Sequence, residues 1–477
     1  MTRTSAAVSA AAPETDDTAG GLRRELHGWA GLSVAALAVA GLFVLLIVPA
    51  RTPVVQDLLP WDPNVFFRQA LVTHVVFSVV IWFLGGLGLL CVMATERLAE
   101  ARLGGRVRAR ALGPAGLWLT VLSMLMLVAG TLAGAGRPSL NNYVPVLVHP
   151  LYYAGLAVLF AGVALPVVRL LVNLGARLKS EPDRLPWAVA AVGATYLMAP
   201  VCFLLAWEDL PPGLSPEVFN EQLFWGGGHV LQVVNTGVLM AAWHVVMRQT
   251  LDAPLLPRPL FLPVFLALPA VGLAGVVTLA ATDAMSGIYY RAFTDLYLYA
   301  LVAPAALGSL AVANALWRRR GGIDWKAPGV LGLLLSLILF AVGGLLGYGL
   351  GEGDTRTPAH YHAVIGGVNL SLMALFAVCV LPALGRGFAR ARPVRWFLGL
   401  YFTGQLVHSL GLYAAGTMGV ARKAAGAEQG LDSALKIASM GIMGAGGLVA
   451  VIGGVMFVWM AGRRLWPAGR MRRLANT

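Results

Sequence analysis

Residues 359 to 367 read AHYHAVIGG, so His360 and His362 stand two positions apart near the start of an apolar stretch. On an α-helix with ~3.6 residues per turn, positions i and i+2 point roughly 200° apart. The two imidazoles therefore cannot bind one metal ion from one face of the helix. They can hold two different prosthetic groups on opposite sides of it, and this stretch predicts such a helix.

The rest of the chain is as apolar as this stretch. Of its 477 residues, 58% are hydrophobic and 12% charged, with a mean hydropathy of +0.75, whereas soluble domains contain roughly 45–50% apolar residues. Runs of about twenty apolar residues can cross a hydrocarbon core ~30 Å thick. The sequence therefore predicts an all-α, polytopic membrane bundle of about twelve transmembrane helices. The expected spans lie near residues 28–49, 66–93, 114–136, 144–173, 186–208, 219–247, 258–281, 294–317, 327–350, 359–384, 394–419 and 434–462.

Lysine and arginine are distributed unevenly between the two sides of this bundle. With the N-terminus inside, the inner side holds 27 of the 35 basic residues, as the positive-inside rule requires. We therefore expect a multi-pass protein of the bacterial cytoplasmic (inner) membrane with both termini in the cytoplasm. The eight outer basic residues are Arg51, Arg68, Arg137, Arg291, Arg356, Arg422, Lys423 and Lys436.

The two ends of the chain differ from the apolar core. Residues 1–25 are small and polar and predict a disordered cytoplasmic tail, and residues 466–477 form a basic cytoplasmic tail. Residues 26–465 form the expected membrane domain. The net charge of +13 does not indicate nucleic-acid binding, because it lies in short loops rather than on one basic face.

Six of the eight histidines fall in the outer half of the expected spans. Polar groups at such depth are costly and usually mark functional sites, and neutral imidazole is a common ligand of haem iron and copper. A single intramembrane histidine can instead bridge two helices, but six in one layer favour metal ligation. These six are His74, His149, His229, His360, His362 and His408.

The order and depth of these histidines resemble those of the catalytic subunit of the haem-copper oxidase superfamily, which includes cytochrome c oxidase subunit I and the large subunit of nitric oxide reductase. The resemblance implies two haems flanking span ten. His74 and His362 would ligate the iron of a low-spin haem, and His360 the iron of a high-spin haem. His229, in WGGGHVLQ, matches a ligand of copper or non-haem iron, so His360 and His229 would form the catalytic site.

The segment HSLGLYAAGTMGVARK, residues 408 to 423, is similar to the family's glycine-rich segment that ends in paired basic residues. The resemblance implies that Arg422 and Lys423 lie near the haem propionates. Arg356 joins them as an outer basic residue in front of span ten. Cations there would offset the cost of holding carboxylates near a medium of low dielectric constant.

The sequence departs from the family at the second metal. It contains no His-His pair, and Tyr290 and Arg291 stand at the span-seven positions where the family has two histidine ligands. Arginine is a poor ligand because it stays protonated. We therefore expect no ordinary copper centre, with His229 facing the open side of the His360 haem and Arg291 pointing towards that pocket or a propionate. A non-haem iron assisted by outer carboxylates is an alternative to a merely solvated loop. Those carboxylates are Glu208, Asp209, Glu217 and Glu221.

The resemblance implies an oxidoreductase that passes electrons through a low-spin haem to a high-spin haem, where O2 or NO is reduced. Its partners would be the membrane, an electron donor (cytochrome c, a cupredoxin or a quinol) and a small partner subunit. Two alternatives stay open. One is a haem-binding homologue with a degenerate binuclear centre, and the other is a twelve-span secondary transporter, which would carry inverted repeats around a midplane site.

Overall fold

The computed structural model describes residues 15–60, 63–101, 106–134, 136–175, 184–351 and 353–466. In these ranges the apolar stretches form long α-helices, because a helix satisfies its backbone hydrogen bonds internally. Short loops join them. The helices are α1 (Thr15–Arg51), α2 (Pro63–Val75), α3 (Trp82–Ala101), α4 (Leu112–Leu132), α5 (Pro150–Leu174), α6 (Leu185–Asp209), α7 (Pro216–Leu251), α8 (Arg258–Ala281), α9 (Gly287–Asp295), α10 (Val302–Arg319), α11 (Pro328–Leu346), α12 (Arg356–Leu375), α13 (Leu381–Ala383), α14 (Ala391–Thr417) and α15 (Ala434–Leu465).

Three π-helical turns interrupt these helices without ending them. Val76–Ile81 joins α2 to α3, Leu296–Leu301 joins α9 to α10, and Phe376–Val380 joins α12 to α13. Such turns often occur at functional sites, and the first one begins two residues after His74. Counted as continuous rods, the described helices number twelve.

Short elements lie in the loops between the rods. Strands β1 (Pro138–Ser139) and β2 (Val146–Leu147) form an antiparallel hairpin in which Pro138 is opposite Leu147. Three 3-10 turns complete the secondary structure of the described residues. They are Gln56–Leu58, Gly347–Gly349 and Gly426–Gln429.

The predicted helical membrane bundle is confirmed. Among the described residues, eleven rods are long and apolar enough to cross a membrane, and α14 is the twelfth long helix. The polar side chains of α14, among them Gln405 and His408, lower its hydropathy. One boundary differs from the prediction, because α1 begins at Thr15 and residues 15–25 are helical rather than part of a tail. Residues 1–14 and 467–477 of the predicted tails lie outside the described residues.

The bundle has two ends, which we name by their contacts. At the upper end, Arg51 Nη2 donates to the carbonyl of Ala421 (3.4 Å) and Arg68 forms an ion pair with Glu428 (3.1 Å). At the lower end, Arg23 Nη2 donates to the carbonyl of Leu384 (2.9 Å). The chain termini of the described part lie at the lower end, where the ring of His27 contacts the carbonyl of Leu465 (3.0 Å).

Glycines bring α14 and α15 into backbone contact. A Cβ at Gly446 would clash with the backbone of His408, and one at Gly404 would clash with the backbone of Ala450. Close helix approach through small residues is common in membranes, because no hydrophobic effect drives helices together there. This packing fixes the position of His408 relative to α15.

A polar chain links three helices in the interior. Trp82 Nε1 donates to Asn369 Oδ1 (2.8 Å), and Asn369 Nδ2 donates to the hydroxyl of Tyr401 (2.5 Å). All three groups would be costly to bury alone. The contacts hold α3, α12 and α14 together below the histidines.

Candidate haem site

Three histidines from three helices meet near the upper end of the bundle. His74 lies in the last turn of α2, His362 lies in the second turn of α12, and His408 lies in α14. The ring centroids of His362 and His408 are 4.7 Å apart, and His74 lies within electrostatic range of both. The structure thus brings together His74 and His362, as the sequence analysis paired them, and adds His408.

Backbone carbonyl groups hold three of the imidazoles through Nδ1. A carbonyl oxygen only accepts hydrogen bonds, so Nδ1 carries the proton and Nε2 keeps its lone pair. Metal-binding histidines commonly use such bonds to fix the orientation of the ring. The bonds run from His74 Nδ1 to Ala40 (3.1 Å), from His360 Nδ1 to Gly343 (2.7 Å) and from His408 Nδ1 to Met443 (2.9 Å).

His360 and His362 face different neighbours, as their spacing requires. His360 turns to α11, where its ring contacts the carbonyl of Gly343 and a Cβ at Gly347 would lie 2.9 Å from the ring. His362 turns to His408 on α14. The two imidazoles of AHYH therefore point to different sides of α12, one to α11 and the other to α14.

His229 lies on α7, and aromatic side chains from α7 and from other segments surround its ring. Its Nδ1 donates to the carbonyl of Trp225 (2.8 Å), and its Nε2 lies 2.8 Å from the hydroxyl of Tyr143. The ring centroid of Tyr143 lies 4.5 Å away, and those of Trp225 and Tyr297 lie 4.7 Å and 6.0 Å away. Because Nδ1 holds the proton, Nε2 accepts from Tyr143, and both nitrogens of His229 are engaged.

Tyr143 is a site residue that the sequence analysis missed. It lies in the loop between β1 and β2, and no spacing rule links this loop to His229 in the sequence. Burial raises the pKa of Tyr143 well above its ordinary value. The phenol therefore keeps its proton at neutral pH and donates it in the bond to His229.

The span-seven positions do not supply metal ligands. The ring of Tyr290 packs against Trp225 with 4.7 Å between centroids, and the Tyr289 hydroxyl accepts from the backbone of Gly226 (2.7 Å). Arg291 lies on the exposed face of α9, two residues from the buried Tyr289 and Phe293. Arg291 therefore does not point into the pocket around His229, since a two-residue step turns a side chain to the opposite face of the helix. The alternative, that it points to a propionate, stays a prediction.

The outer carboxylates do not complete a metal site. Within the described ranges, no three histidine, cysteine, aspartate or glutamate side chains lie close enough to hold a metal ion. Asp209 Oδ2 instead accepts from the backbone of Ala284 (2.6 Å), and Glu221 Oε1 accepts from Asn142 Nδ2 (2.6 Å). Glu208 and Glu217 are exposed. These contacts agree with the interpretation as a solvated loop.

The three predicted cations lie at the upper end, each with local contacts. Arg356 forms an ion pair with Asp354 (2.7 Å), whose carboxyl pKa this guanidinium holds below its usual value. The backbone of Arg422 donates to the carbonyl of Gly353 (3.0 Å). Lys423 Nζ donates to the carbonyl of Leu140 and to the side chain of Asn142. Their role at propionates stays a prediction.

Arg51 is a second residue that the sequence analysis did not place at the site. It ends α1, packs over the ring of Phe67 at 5.5 Å, and lies within electrostatic range of His362 and His408. Its Nε is buried and, among the described residues, has no hydrogen-bond partner. An unpartnered buried N–H beside three imidazoles fits an anionic group of a prosthetic group at this position.

His149 does not join the cluster. It caps the N-terminus of α5, where its Nδ1 accepts from the backbone of Leu151 (3.2 Å). This contact accounts for the imidazole without a metal, because Ncap side chains commonly accept from the first turn of a helix.

Comparison with known proteins identifies the fold and the family. The family model described as Cytochrome C and Quinol oxidase polypeptide I matches residues 28–456. A solved structure, described as the cryo-EM structure of a heme-copper terminal oxidase dimer, matches with a TM-score of 0.71 at 15% identity, over 94% of this chain and 84% of that chain. At this identity the match shows the fold alone.

Two relatives are similar in sequence. An uncharacterized protein of Aquifex aeolicus (strain VF5) is 30% identical over 353 residues, which cover 73% of this chain and 82% of the relative. An uncharacterized protein of Rickettsia prowazekii (strain Madrid E) is 23% identical over 501 residues, which cover 92% and 96%. Because the family model spans most of the chain, this protein belongs to the cytochrome c and quinol oxidase polypeptide I family, the haem-copper oxidases.

Proposed function

We propose that this protein is a membrane oxidoreductase that binds two haems, one on each side of α12. His74 and His362 are the proposed axial ligands of a low-spin haem, and His360 that of a high-spin haem. The observation that carries the proposal is the placement of His360 against α11 and of His362 against α14. When bound, the haems supply electron transfer and an open iron position for O2 or NO.

The chain's own contribution is to orient ligands and to balance charge. The carbonyls of Ala40 and Gly343 fix the rings of His74 and His360 with Nε2 directed away from the bond. Arg51 offers a buried N–H donor beside the histidines. A guanidinium there offsets the cost of placing a propionate in a medium of low dielectric constant.

The residues around His229 do not fit an ordinary second metal. Both nitrogens of His229 are hydrogen bonded, and the described part of the chain contains no cluster of three metal-ligating side chains. A single imidazole rarely holds copper firmly, and here Tyr143 competes for its nitrogen. We therefore assign no reaction step to a copper or non-haem iron in this protein.

The proposed setting is the bacterial inner membrane, with both termini in the cytoplasm and the upper end on the outer side. The excess of basic residues at the lower side supports this orientation. The proposed electron donor is a cytochrome c, a cupredoxin or a quinol, delivered with the help of a small partner subunit. A donor from the outer side would approach the upper end, where the histidines lie.

One alternative function has a specific observation in its favour. The aromatic enclosure of His229 suits a haem-binding homologue whose binuclear centre is degenerate and whose haems transfer electrons without reducing O2 or NO. The secondary-transporter alternative is set aside, because the chain has the fold and family of the oxidases.

Visible spectroscopy of the purified full-length protein tests the proposal. Reduced-minus-oxidised spectra should contain low-spin bands, and added carbon monoxide should shift a second, high-spin component. Absence of any haem bands would reject both haem-based functions. Low-spin bands without a carbon monoxide response would favour the degenerate homologue.

A further inference from the structure

Arginines gather at the lower end of the bundle, where α14 begins and α15 ends. The two helices pack antiparallel, with Gly446 against His408 and the ring of Phe457 against that of Phe397 (5.4 Å between centroids). The first turn of α14 therefore lies beside the last turns of α15. Six arginines belong to these turns and to the loop before α14, and nothing in the proposed haem chemistry uses them. They are Arg386, Arg390, Arg392, Arg395, Arg463 and Arg464.

The positive charge of this group is not neutralised by nearby carboxylates. Residues 384–417 and 434–466 contain neither aspartate nor glutamate, and none of the six arginines forms an ion pair with a residue that the structure describes. Four of them, Arg390, Arg392, Arg463 and Arg464, are exposed. An excess of accessible positive charge attracts anionic groups.

The end of α15 occupies one of these side chains and leaves two others available. Arg386 Nη1 donates to the carbonyl of Arg464 (2.9 Å) and to that of Leu465. The last carbonyls of a helix are common partners of arginine. Because Arg386 fills this role, the side chains of Arg463 and Arg464 are not needed to cap the helix.

Aromatic rings hold the side chains of these two arginines. The guanidinium of Arg463 lies 6.0 Å from the ring centroid of Trp459, and that of Arg464 lies 5.9 Å from that of Phe388. Neither guanidinium donates a hydrogen bond to another described residue. A guanidinium on an aromatic face keeps the N–H donors in its plane, so both can still bind an anion.

Arg463 and Arg464 line a cavity of about 410 Å³ together with Phe388, Trp459 and Met460. This volume is within the range of roughly 300–1,000 Å³ that is usual for small-ligand sites. Trp459 is 64% exposed, and tryptophan is enriched where membrane meets water. The cavity therefore combines two cations at the end of α15 with apolar side chains one turn further into the bundle.

We infer that this cavity binds the head group of an anionic phospholipid. Its phosphate lies between Arg463 and Arg464, and the first part of one acyl chain packs along Trp459 and Met460. A zwitterionic lipid also carries a cation, which the arginines repel, so the charge selects a lipid with a net negative head group. The inference does not depend on haem binding.

Native mass spectrometry of the full-length protein tests this inference. The protein is titrated with phosphatidylglycerol or with phosphatidylcholine of the same acyl chains, and retained lipid is counted as the collision energy rises. The wild type should retain phosphatidylglycerol in preference. Equal retention of the two lipids would overturn the inference.

Variants locate the binding. Arg463→Gln/Arg464→Gln should lower the preference for phosphatidylglycerol by about 30-fold, since each cation near an anionic head group contributes roughly a five-fold factor. Arg463→Lys/Arg464→Lys keeps the charge and should keep most of the preference. The matched control is Arg318→Gln/Arg319→Gln, which removes the same charge from the last turn of α10 and should have no effect. An equal loss in this control would show a general attraction to basic helix ends and would overturn the inference.

The aromatic part of the cavity has its own test. Trp459→Leu removes the ring beside Arg463 and should lower the preference by about two- to five-fold, the factor expected for an exposed cation–π contact. Trp118→Leu, at a tryptophan of α4 that is 69% exposed, should not change it. If both variants behave alike, the stacking of Arg463 plays no part and the site is not the one inferred.

Inorganic phosphate separates a lipid site from a simple anion site. Phosphate at millimolar concentration should not displace phosphatidylglycerol, because it lacks the acyl chain that packs along Trp459 and Met460. Complete displacement would show that the cavity binds the anion alone and that the inference is wrong. A single elution peak and an unchanged melting temperature in every variant show that lost retention does not come from unfolding.

Discussion

The imidazole rings of His362 and His408 lie 4.7 Å apart between centroids, at an angle of 70°. A third imidazole thus stands beside the pair proposed for the low-spin haem. Its Nδ1 is held by the carbonyl of Met443 (2.9 Å), so its Nε2 keeps a lone pair. Variants of the two proposed ligands therefore have to be compared with a variant of His408, which is not a proposed ligand.

The first prediction concerns the ligands of the low-spin haem. His74→Ala and His362→Ala should each remove the same low-spin bands, because either loss leaves the iron with one proposed axial ligand. Electron paramagnetic resonance of the oxidised protein measures this. His408→Ala is the matched control and should keep the low-spin signal. A full signal in either ligand variant, or its loss in the control, would contradict the assignment.

The second prediction concerns Arg51. Arg51→Gln should lower the midpoint potential of the low-spin haem, on the order of 50 mV, because a nearby cation disfavours the more positive oxidised iron. Redox titration followed by visible spectra measures the shift. Arg51→Lys should restore most of it. Arg291→Gln, which removes an exposed charge on α9, should not change the potential. An unchanged potential in Arg51→Gln would place that side chain away from the haem.

The third prediction concerns the second metal. Metal analysis of the protein carrying two haems should find copper and non-haem iron well below one equivalent, because His229 has both nitrogens engaged. Tyr143→Phe frees Nε2 but adds no further ligand, so the metal content should stay low. One firmly bound copper per two haems in the wild type would show that the pocket rearranges and that this protein is an ordinary oxidase.

The fourth prediction concerns pH and Lys423. Burial lowers the pKa of Lys423 to about 8, below the ordinary value of roughly 10.4 for lysine. Above pH 8 the folded protein therefore binds fewer protons at this site than the unfolded chain, and the contribution of Lys423 to stability rises with pH up to the ordinary pKa. Below pH 8 both states are protonated and the cost of burial is constant.

Thermal unfolding of the wild type and of Lys423→Met, measured from pH 7 to pH 10, tests this sign. The melting temperature of the wild type minus that of the variant should be flat up to about pH 8 and then increase. A difference that stays flat over this interval would show that Lys423 keeps its ordinary pKa in the folded protein, and one that falls would show a raised pKa; either result would contradict the prediction. Lys436→Met, at a loop ion pair with Asp432, serves as a control for removing one lysine.

The sequence was sufficient for the helices, because they depend on apolar periodicity along single spans. The pairing of His74 with His362 came from the resemblance to the family; the structure places both in one cluster, and their ligation of a haem stays a prediction. The lengths of the apolar stretches placed the ends of the spans to within several residues. The two-residue spacing alone also predicted that His360 and His362 point to different sides of their helix. These are local properties, and the physics that determines them acts within one helix.

Contacts between distant segments were not predictable in this way. Tyr143 reaches His229 from the hairpin loop, and Arg51 reaches the histidines from the end of α1. His408 meets His362 because glycines such as Gly446 let α14 and α15 approach closely. Arg291 was expected to point towards the pocket or a propionate because of its alignment with a family ligand, but the rotation of α9 turns it away from the pocket. Helix rotation and loop path are decided by packing of the whole bundle.

The bonds that orient His74, His360 and His408 all end on main-chain oxygens. Every residue type carries such an oxygen, so Ala40 and Met443 can be exchanged for other residues without removing the acceptor. Gly343 is different, because a Cβ there would lie 2.5 Å from the backbone nitrogen of Val364. Evolutionary drift at positions 40 and 443 would therefore leave ring orientation intact, provided the helices keep their course. An inserted or deleted residue in α1, α11 or α15 would shift the carbonyl by about 100° around the helix and would disturb the imidazole more than a point substitution.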